Sequence, residues 1–425
     1  MKASAKLAAA LSRSARIAAG VASGRSTADR SIELQADAND VNRAAVMDIT
    51  QGTLRRYGRV QALVRLLSAR GSAPELVQGL LWCSLYAIDS GRYADYTVVD
   101  QAVKACAPLH IENAKGYVNA VLRSYLRDRQ AMEKKLAEDL EATYQHPRWW
   151  IELLRDAYPT HWQDVLAEGN THPPMCLRVN RRRVSARDYA VRLESEGITA
   201  RTIGEQALLL AKPVPIERLP GFQSGDVSIQ DAGAQRVARC MDLAPGLRVL
   251  DACAAPGGKA AHILETSDVE LTALDVDATR CERIGQNLAR LGLRANVACA
   301  DCTHPSAWWR GAYFDRVLAD VPCSASGVVR RRPDVKWLRR ASDVAAFAAR
   351  QAAMLDALWQ VLAPGGKLMY VTCSVFPGEN EEVVSRFLTR APRAHRLPLP
   401  DGGPAQWFPS SEHDGFFYAL IEKAA

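Results

Sequence analysis

Cys373 sits in the run LMYVTCSVFPG (Leu368–Gly378), and Cys323 follows Pro322 in DVPCSASGVVRRRPDVKW (Asp320–Trp337). Each stands where an apolar, strand-like stretch gives way to a turn. One cysteine in such a place is as readily a buried packing residue, since free cysteine is among the most buried side chains. Two at the mouths of neighbouring strands, one beside a proline that stiffens the backbone, are better read as a pair able to reach a single substrate. The thiolate is the nucleophilic form, and only about a few per cent of an unperturbed thiol is ionised near pH 7.

A second group of residues suits a cofactor. LDACAAPGGKAA (Leu250–Ala261) lies between a strand-like and a helix-like stretch. Its segment Cys253, Ala254, Ala255, Pro256, Gly257, Gly258 and Lys259 is the candidate binding loop, because glycine lets backbone approach a ligand closely. The G-x-G-x-x-G spacing of a dinucleotide site is absent, and Lys259 lacks a P-loop context. Asp275, Asp301 and Asp320 end the strands that follow. Any one of them could be a turn residue or a helix cap. Three facing one crevice favour an adenosine-type cofactor without a phosphate requirement, with Asp275 suited to both ribose hydroxyls. S-adenosylmethionine fits that description better than NAD.

These residues need a sheet to hold them. From Leu247 onward, strands (LRVLDAC, ELTALDVD, ANVACAD, FDRVLADVP, KLMYVTCSV) alternate with helices (GGKAAHILE, TRCERIGQNLARLG, ASDVAAFAARQAAMLDALWQVL). That order predicts a parallel, doubly wound α/β sheet, with ligands outside the carboxyl ends of its strands. Before it, MCLRVN and ALLLAK read as strands with a helix between them, a small α+β segment. From about Asn42 to Lys135 apolar residues recur three and four apart with no strand signal, which predicts an all-helical domain. The expected division is residues 1–140 helical, 141–235 a linker helix with the small α+β segment, and 236–425 the Rossmann-like catalytic domain. The first 28 residues carry no acidic side chain and read as a basic helical arm leading into the first domain, ahead of a transit peptide.

Composition narrows the class. Hydrophobic residues make up 48% and charged residues 24%, an ordinary globular balance, and no apolar run reaches membrane-spanning length. Ten cysteines without a repeating framework fit reduced thiols in a cytoplasmic protein. The net charge of +7 is concentrated in Arg181–Arg183, Arg330–Arg332 and Arg339–Arg340, which suits a polyanionic partner. Cys299 and Cys302 form a lone C-x-x-C with no second pair, read as strand-end packing, so no metal site is expected. Nothing suggests an obligate oligomer.

DACAAPGGKAA, ALDVD, ADVPCSASGVVRRRPD and YVTCSVFPGENEEVV together resemble the motifs of the NOL1/NOP2/Sun family of RNA cytosine-5 methyltransferases. The helical stretch with KGYVNAVLR is similar to a NusB-like RNA-binding domain. The resemblance covers nearly the whole chain and implies S-adenosylmethionine-dependent methylation of a 16S ribosomal RNA cytosine, with small-subunit ribosomal RNA as partner. It implies Cys373 as the nucleophile that adds to cytosine C6, Cys323 in the release step, and Asp320 on the cytosine N3/N4 edge. It carries cofactor contacts onto Cys253 through Lys259, Asp275, Asp301 and Asp320. Arg330, Arg331 and Arg332 are expected near the RNA. The alternatives are the same chemistry on transfer RNA or large-subunit ribosomal RNA, and a non-catalytic RNA-binding assembly factor. The last would lack a key residue, and none of the three catalytic candidates is missing.

Overall fold

The computed structural model describes residues 2–28, 43–68, 71 and 73–425, and the chain divides into two compact units. One comprises Met1–Thr171 with Val329–Ala341, and the other His172–Val328 with Ser342–Ala425.

The first unit is helical. Its centre is the helix Glu75–Asp89, whose Val77, Leu80, Leu81, Cys83, Leu85 and Ile88 are all buried. Against it lies Lys2–Ala22, with Ala10, Leu11, Ala15, Ile17 and Ala18 buried in the same core. Gly79 allows this approach, because a Cβ there would lie 2.5 Å from the Ala15 carbonyl oxygen. The basic amino-terminal segment is therefore not an arm leading into the domain. It forms one wall of the domain core.

A second departure is the segment Val329–Ala341, which follows the Cys323 motif in sequence yet completes the helical unit. Lys336 is fully buried there and its Nζ donates to the carbonyls of Arg55 (3.0 Å) and Gln145 (2.8 Å) and to Asn170 Oδ1 (2.8 Å). Trp337 donates its indole N–H to the Leu54 carbonyl at 2.8 Å and packs edge-on against Tyr57. The Ala28 amide donates to Asp334, and Arg55 donates to the Arg330 carbonyl, each at 3.0 Å.

The second unit contains two sheets. Strands β1 (Cys176–Val179), β2 (Ala200–Thr202), β3 (Ala207–Leu210) and β4 (Val227–Ile229) form an antiparallel sheet in the order β2-β3-β1-β4. The larger sheet contains β5 (Arg248–Asp251), β6 (Glu270–Asp275), β7 (Asn296–Cys299), β8 (Phe314–Asp320), β9 (Leu362–Thr372), β10 (Ala394–Leu397), β11 (Gln406–Trp407) and β12 (Phe416–Lys423). Its order is β10-β12-β9-β8-β5-β6-β7, with β11 paired to β12. The five strands from β7 across to β9 are parallel, as expected. The sheet is nevertheless mixed, since β12 runs antiparallel between β9 and β10. No helix lies between β10 and β12, so the chain returns without the crossover that parallel pairing requires.

Arginines in and just after β1 tie the smaller sheet to the helices that flank the larger one. Arg178 and Glu265, both 1% exposed, form a two-toothed ion pair at 2.8 and 2.9 Å. Arg178 also donates to the Gly258 carbonyl at 2.7 Å, which braces the glycine loop from behind. Removing one partner of such a pair costs roughly 3–5 kcal/mol, because the other charge is left buried and alone. Arg182 reaches Asp268 (2.7 Å), and Arg183 donates to the Leu291 carbonyl (3.1 Å). These two members of the Arg181–Arg183 cluster thus serve cohesion within the unit.

Candidate active site

Strand order reverses between β5 and β8, and the carboxyl ends of those strands open the crevice where ligands bind in sheets of this kind. β5 ends at Asp251 and runs into the loop Ala252–Gly257, and the helix Gly258–Thr266 follows. Gly257 has φ +97°, and a Cβ on it would press against Ile284, so this turn requires glycine. The loop is tied to β6 by the Ala254 amide donating to the Leu274 carbonyl (2.9 Å) and the Ala255 amide donating to Asp275 Oδ2 (3.2 Å).

Asp275 is 3% exposed, and its other oxygen accepts the Asp277 amide at 3.2 Å. A carboxylate has about four acceptor sites, so two backbone donors leave room for hydroxyls. Asp301 accepts from the Thr303 amide (2.9 Å) and hydroxyl (2.7 Å), and these bonds hold its carboxyl below the usual range.

Asp251 is the residue sequence reading passed over. It is 1% exposed, and no donor among the described residues meets either of its oxygens at good hydrogen-bond geometry. Burial, and then the Asp320 charge, push its carboxyl up to about 7. A buried carboxylate without a donor marks a place for a cation. S-adenosylmethionine carries an ammonium and a sulfonium, so the donor set fits this cofactor. The signal was present in sequence as an acidic residue ending the first strand of the alternation.

Lys259, on the first turn of the helix after the loop, meets Asp320 at the end of β8 with Nζ 2.6 Å from Oδ2. Burial disfavours the ammonium, but the charge and hydrogen bond of Asp320, with a further contribution from Cys373, outweigh it and hold Lys259 raised.

β8 and β9 are parallel neighbours with Asp320 opposite Val371, so the turns beyond them leave the sheet side by side. This places Cys323 Sγ 3.4 Å from Cys373 Sγ. The Gly327 amide donates to the Cys373 carbonyl at 2.8 Å. Cys323 is 8% exposed and Cys373 is more open to solvent. The contact with Cys373, then burial, push the Cys323 thiol well above its ordinary value.

The three arginines expected at the RNA differ in exposure. Arg330 is 1% exposed and its guanidinium faces Glu168 at 3.4 Å, within the helical unit, so in this conformation it cannot meet a phosphate. Arg331 is partly buried and Arg332 exposed. The C-x-x-C cysteines also diverge, since Cys302 lies beside Cys253 and Cys299 beside Cys281, all four as free thiols. Among the described residues no group of three or more His, Cys, Asp or Glu side chains is placed to hold a metal ion, and no helix is long and apolar enough to cross a membrane. His262 is buried against Gln206 at 2.9 Å and serves packing.

The strand order, the braced glycine loop and the acidic strand ends define an S-adenosylmethionine-dependent methyltransferase. Residues 238–422 match the model of the 16S rRNA methyltransferase RsmB/F family, 146–217 that of the RsmF/B-like ferredoxin-like domain, and 9–127 that of the NusB family. The chain is 41% identical over 387 residues to ribosomal RNA small subunit methyltransferase B of Vibrio cholerae, covering 89% of each chain. It is 39% identical over 430 residues to the protein of that name in Pseudomonas syringae pv. tomato, covering 97% and 96% of the two chains. A solved methyltransferase homologue from Pyrococcus horikoshii superposes with TM-score 0.60 at 28% identity, over 67% of this chain and 97% of that one. The chain belongs to the RsmB/F family of ribosomal RNA small-subunit methyltransferases.

Proposed function

We propose that this methyltransferase modifies C5 of a cytosine in 16S ribosomal RNA through a covalent bond from Cys373 to cytosine C6. The observation that carries the reading is the 3.4 Å contact between two thiols at the mouths of adjacent parallel strands. Cytosine C5 is a poor nucleophile until a group adds at C6. The Cys373 thiolate makes that bond, and the displaced electron pair gathers at C5. S-adenosylmethionine, when bound, supplies the methyl group that C5 takes up. The C5 proton must then leave, so that its electron pair restores the ring double bond and the C6–S bond breaks. A base takes up that proton, and Cys323 acts in this release step.

Asp320 addresses the N3/N4 edge of the base and stabilises charge that develops on addition, while Lys259 fixes the carboxylate at 2.6 Å. Cys253 through Lys259, Asp251, Asp275 and Asp301 hold the cofactor. The target base must leave its stack to reach the crevice, which suits a flipped or single-stranded cytosine. Arg331 and Arg332 contact phosphates, with Arg330 reassigned to packing.

Labelled S-adenosylmethionine with unmodified 16S ribosomal RNA tests the reading. The label is expected in 5-methylcytidine after digestion to nucleosides, and label in any other nucleoside contradicts it.

A further inference from the structure

Beneath the two thiols lies a buried polar cluster that the reaction above does not use. Glu379 is fully buried, three residues beyond Phe376 in the PGENEE stretch. Its Oε1 accepts the Ser324 amide at 2.7 Å and the Gln351 side-chain amide at 3.3 Å. Its Oε2 accepts the Ser374 hydroxyl at 2.7 Å. Ser324 follows Cys323 and Ser374 follows Cys373, so one carboxylate is bonded next to both thiols. The Ser374 hydroxyl also lies 2.9 Å from that of Ser326, whose oxygen accepts the Val375 amide at 2.9 Å. Asn380 adds a second tie, donating to the Ser374 carbonyl at 2.9 Å, while the Thr372 hydroxyl donates to Asn380 Oδ1 at 2.6 Å.

Burying a carboxylate costs several kcal/mol unless donors surround it, and a lone packing role would be filled as well by an apolar side chain. The three donors that meet Glu379 come from the Cys323 turn, the Cys373 turn and the helix Ala341–Val361. We propose that Glu379 is a positioning residue for the reaction, whose two oxygens each hold one cysteine turn and so set the sulfur-to-sulfur geometry that couples adduct formation to release. Its negative charge also bears on the Cys323 thiol, which it helps keep protonated at rest. This rests on the thiol roles proposed above.

Two readouts on Glu379→Gln, Glu379→Asp and Glu379→Ala test it. The first is the ratio of trapped protein–RNA adduct to methylated product, which does not depend on the fraction of enzyme that is folded. The ratio is expected to rise at least tenfold in the Gln and Ala variants, with Asp intermediate, because Cys373 still adds but Cys323 is misplaced for release. The second needs no RNA: diamide oxidation of the two thiols to a Cys323–Cys373 disulfide, read by mass spectrometry, is expected to slow at least tenfold. Adduct and product falling in proportion, with disulfide closure at the wild-type rate, would overturn the positioning role. An adduct that persists in Cys373→Ala would instead sink the thiol assignment, and the diamide rates would still decide the role of Glu379.

Discussion

Lys259 and Asp320 meet at 2.6 Å across the ends of two adjacent strands, one on the helix after the glycine loop and the other closing β8. The pair therefore ties the loop assigned to the cofactor to the turn that carries Cys323. Lys259 is partly buried and Asp320 more open, at 16% and 27% exposure, so the carboxylate has a free side for a base.

Asp320→Asn keeps the shape and removes the charge. Methyl transfer is expected to fall roughly 10²–10³-fold, the range for losing one preorganised stabilising group. Cofactor affinity measured by calorimetry should change far less, and a variant of wild-type turnover would contradict the role.

Asp251 makes the cofactor-free protein sensitive to pH. Its carboxyl is raised to about 7 when folded, so the folded state holds a proton that the unfolded chain releases near pH 4. That stability is full below about pH 4 and is lost as pH rises through about 7. Thermal melts of the cofactor-free protein should fall across this window relative to Asp251→Asn. S-adenosylhomocysteine, which retains the ammonium, should flatten the difference. Parallel melting curves with and without ligand would count against an ammonium partner for Asp251.

Lys336→Met tests the inserted segment. Three buried acceptors would lose their donor at once, at roughly 1–3 kcal/mol for each group left unsatisfied. Chemical denaturation followed by Trp337 fluorescence should report a clearly less stable helical unit. A midpoint equal to wild type would show that Val329–Ala341 contributes little to that unit.

Arg332 and Arg330 should separate cleanly in RNA binding. Arg332→Ala is expected to weaken binding and lower the slope of log affinity against log salt by about one contact. Arg330→Ala should lower stability, because the side chain is buried against Glu168, with the salt slope unchanged. The reverse pattern, measured by filter binding at several salt concentrations, would restore the three-arginine patch.

Much of the site was legible because its residues lie at the ends of strands whose alternation with helices is a local pattern. The positions of Cys323, Cys373, Asp275, Asp301 and Asp320 at or just past strand ends follow from that periodicity, while the roles proposed for them come from the family resemblance. What was not legible depends on long-range partners. Arg182 and Arg183 read as part of a basic cluster, and only the fold brings Asp268 and the Leu291 carbonyl to them. The same holds for Arg330 and Lys336, whose partners are contributed by helices far earlier in the chain. In sequence Glu379 is one acidic residue of the stretch PGENEE, and only the fold brings it to Ser324, 55 residues earlier. The antiparallel placement of β12 is likewise a matter of how the chain returns, which its composition does not encode.

The order of events at the two thiols is decided by trapping on a denaturing gel after reaction of wild type, Cys373→Ala and Cys323→Ala with 16S ribosomal RNA and labelled S-adenosylmethionine. Cys323→Ala should accumulate a protein–RNA adduct, and Cys373→Ala should yield neither adduct nor product. An adduct that forms without Cys373 and vanishes without Cys323 would reverse the roles of the two thiols.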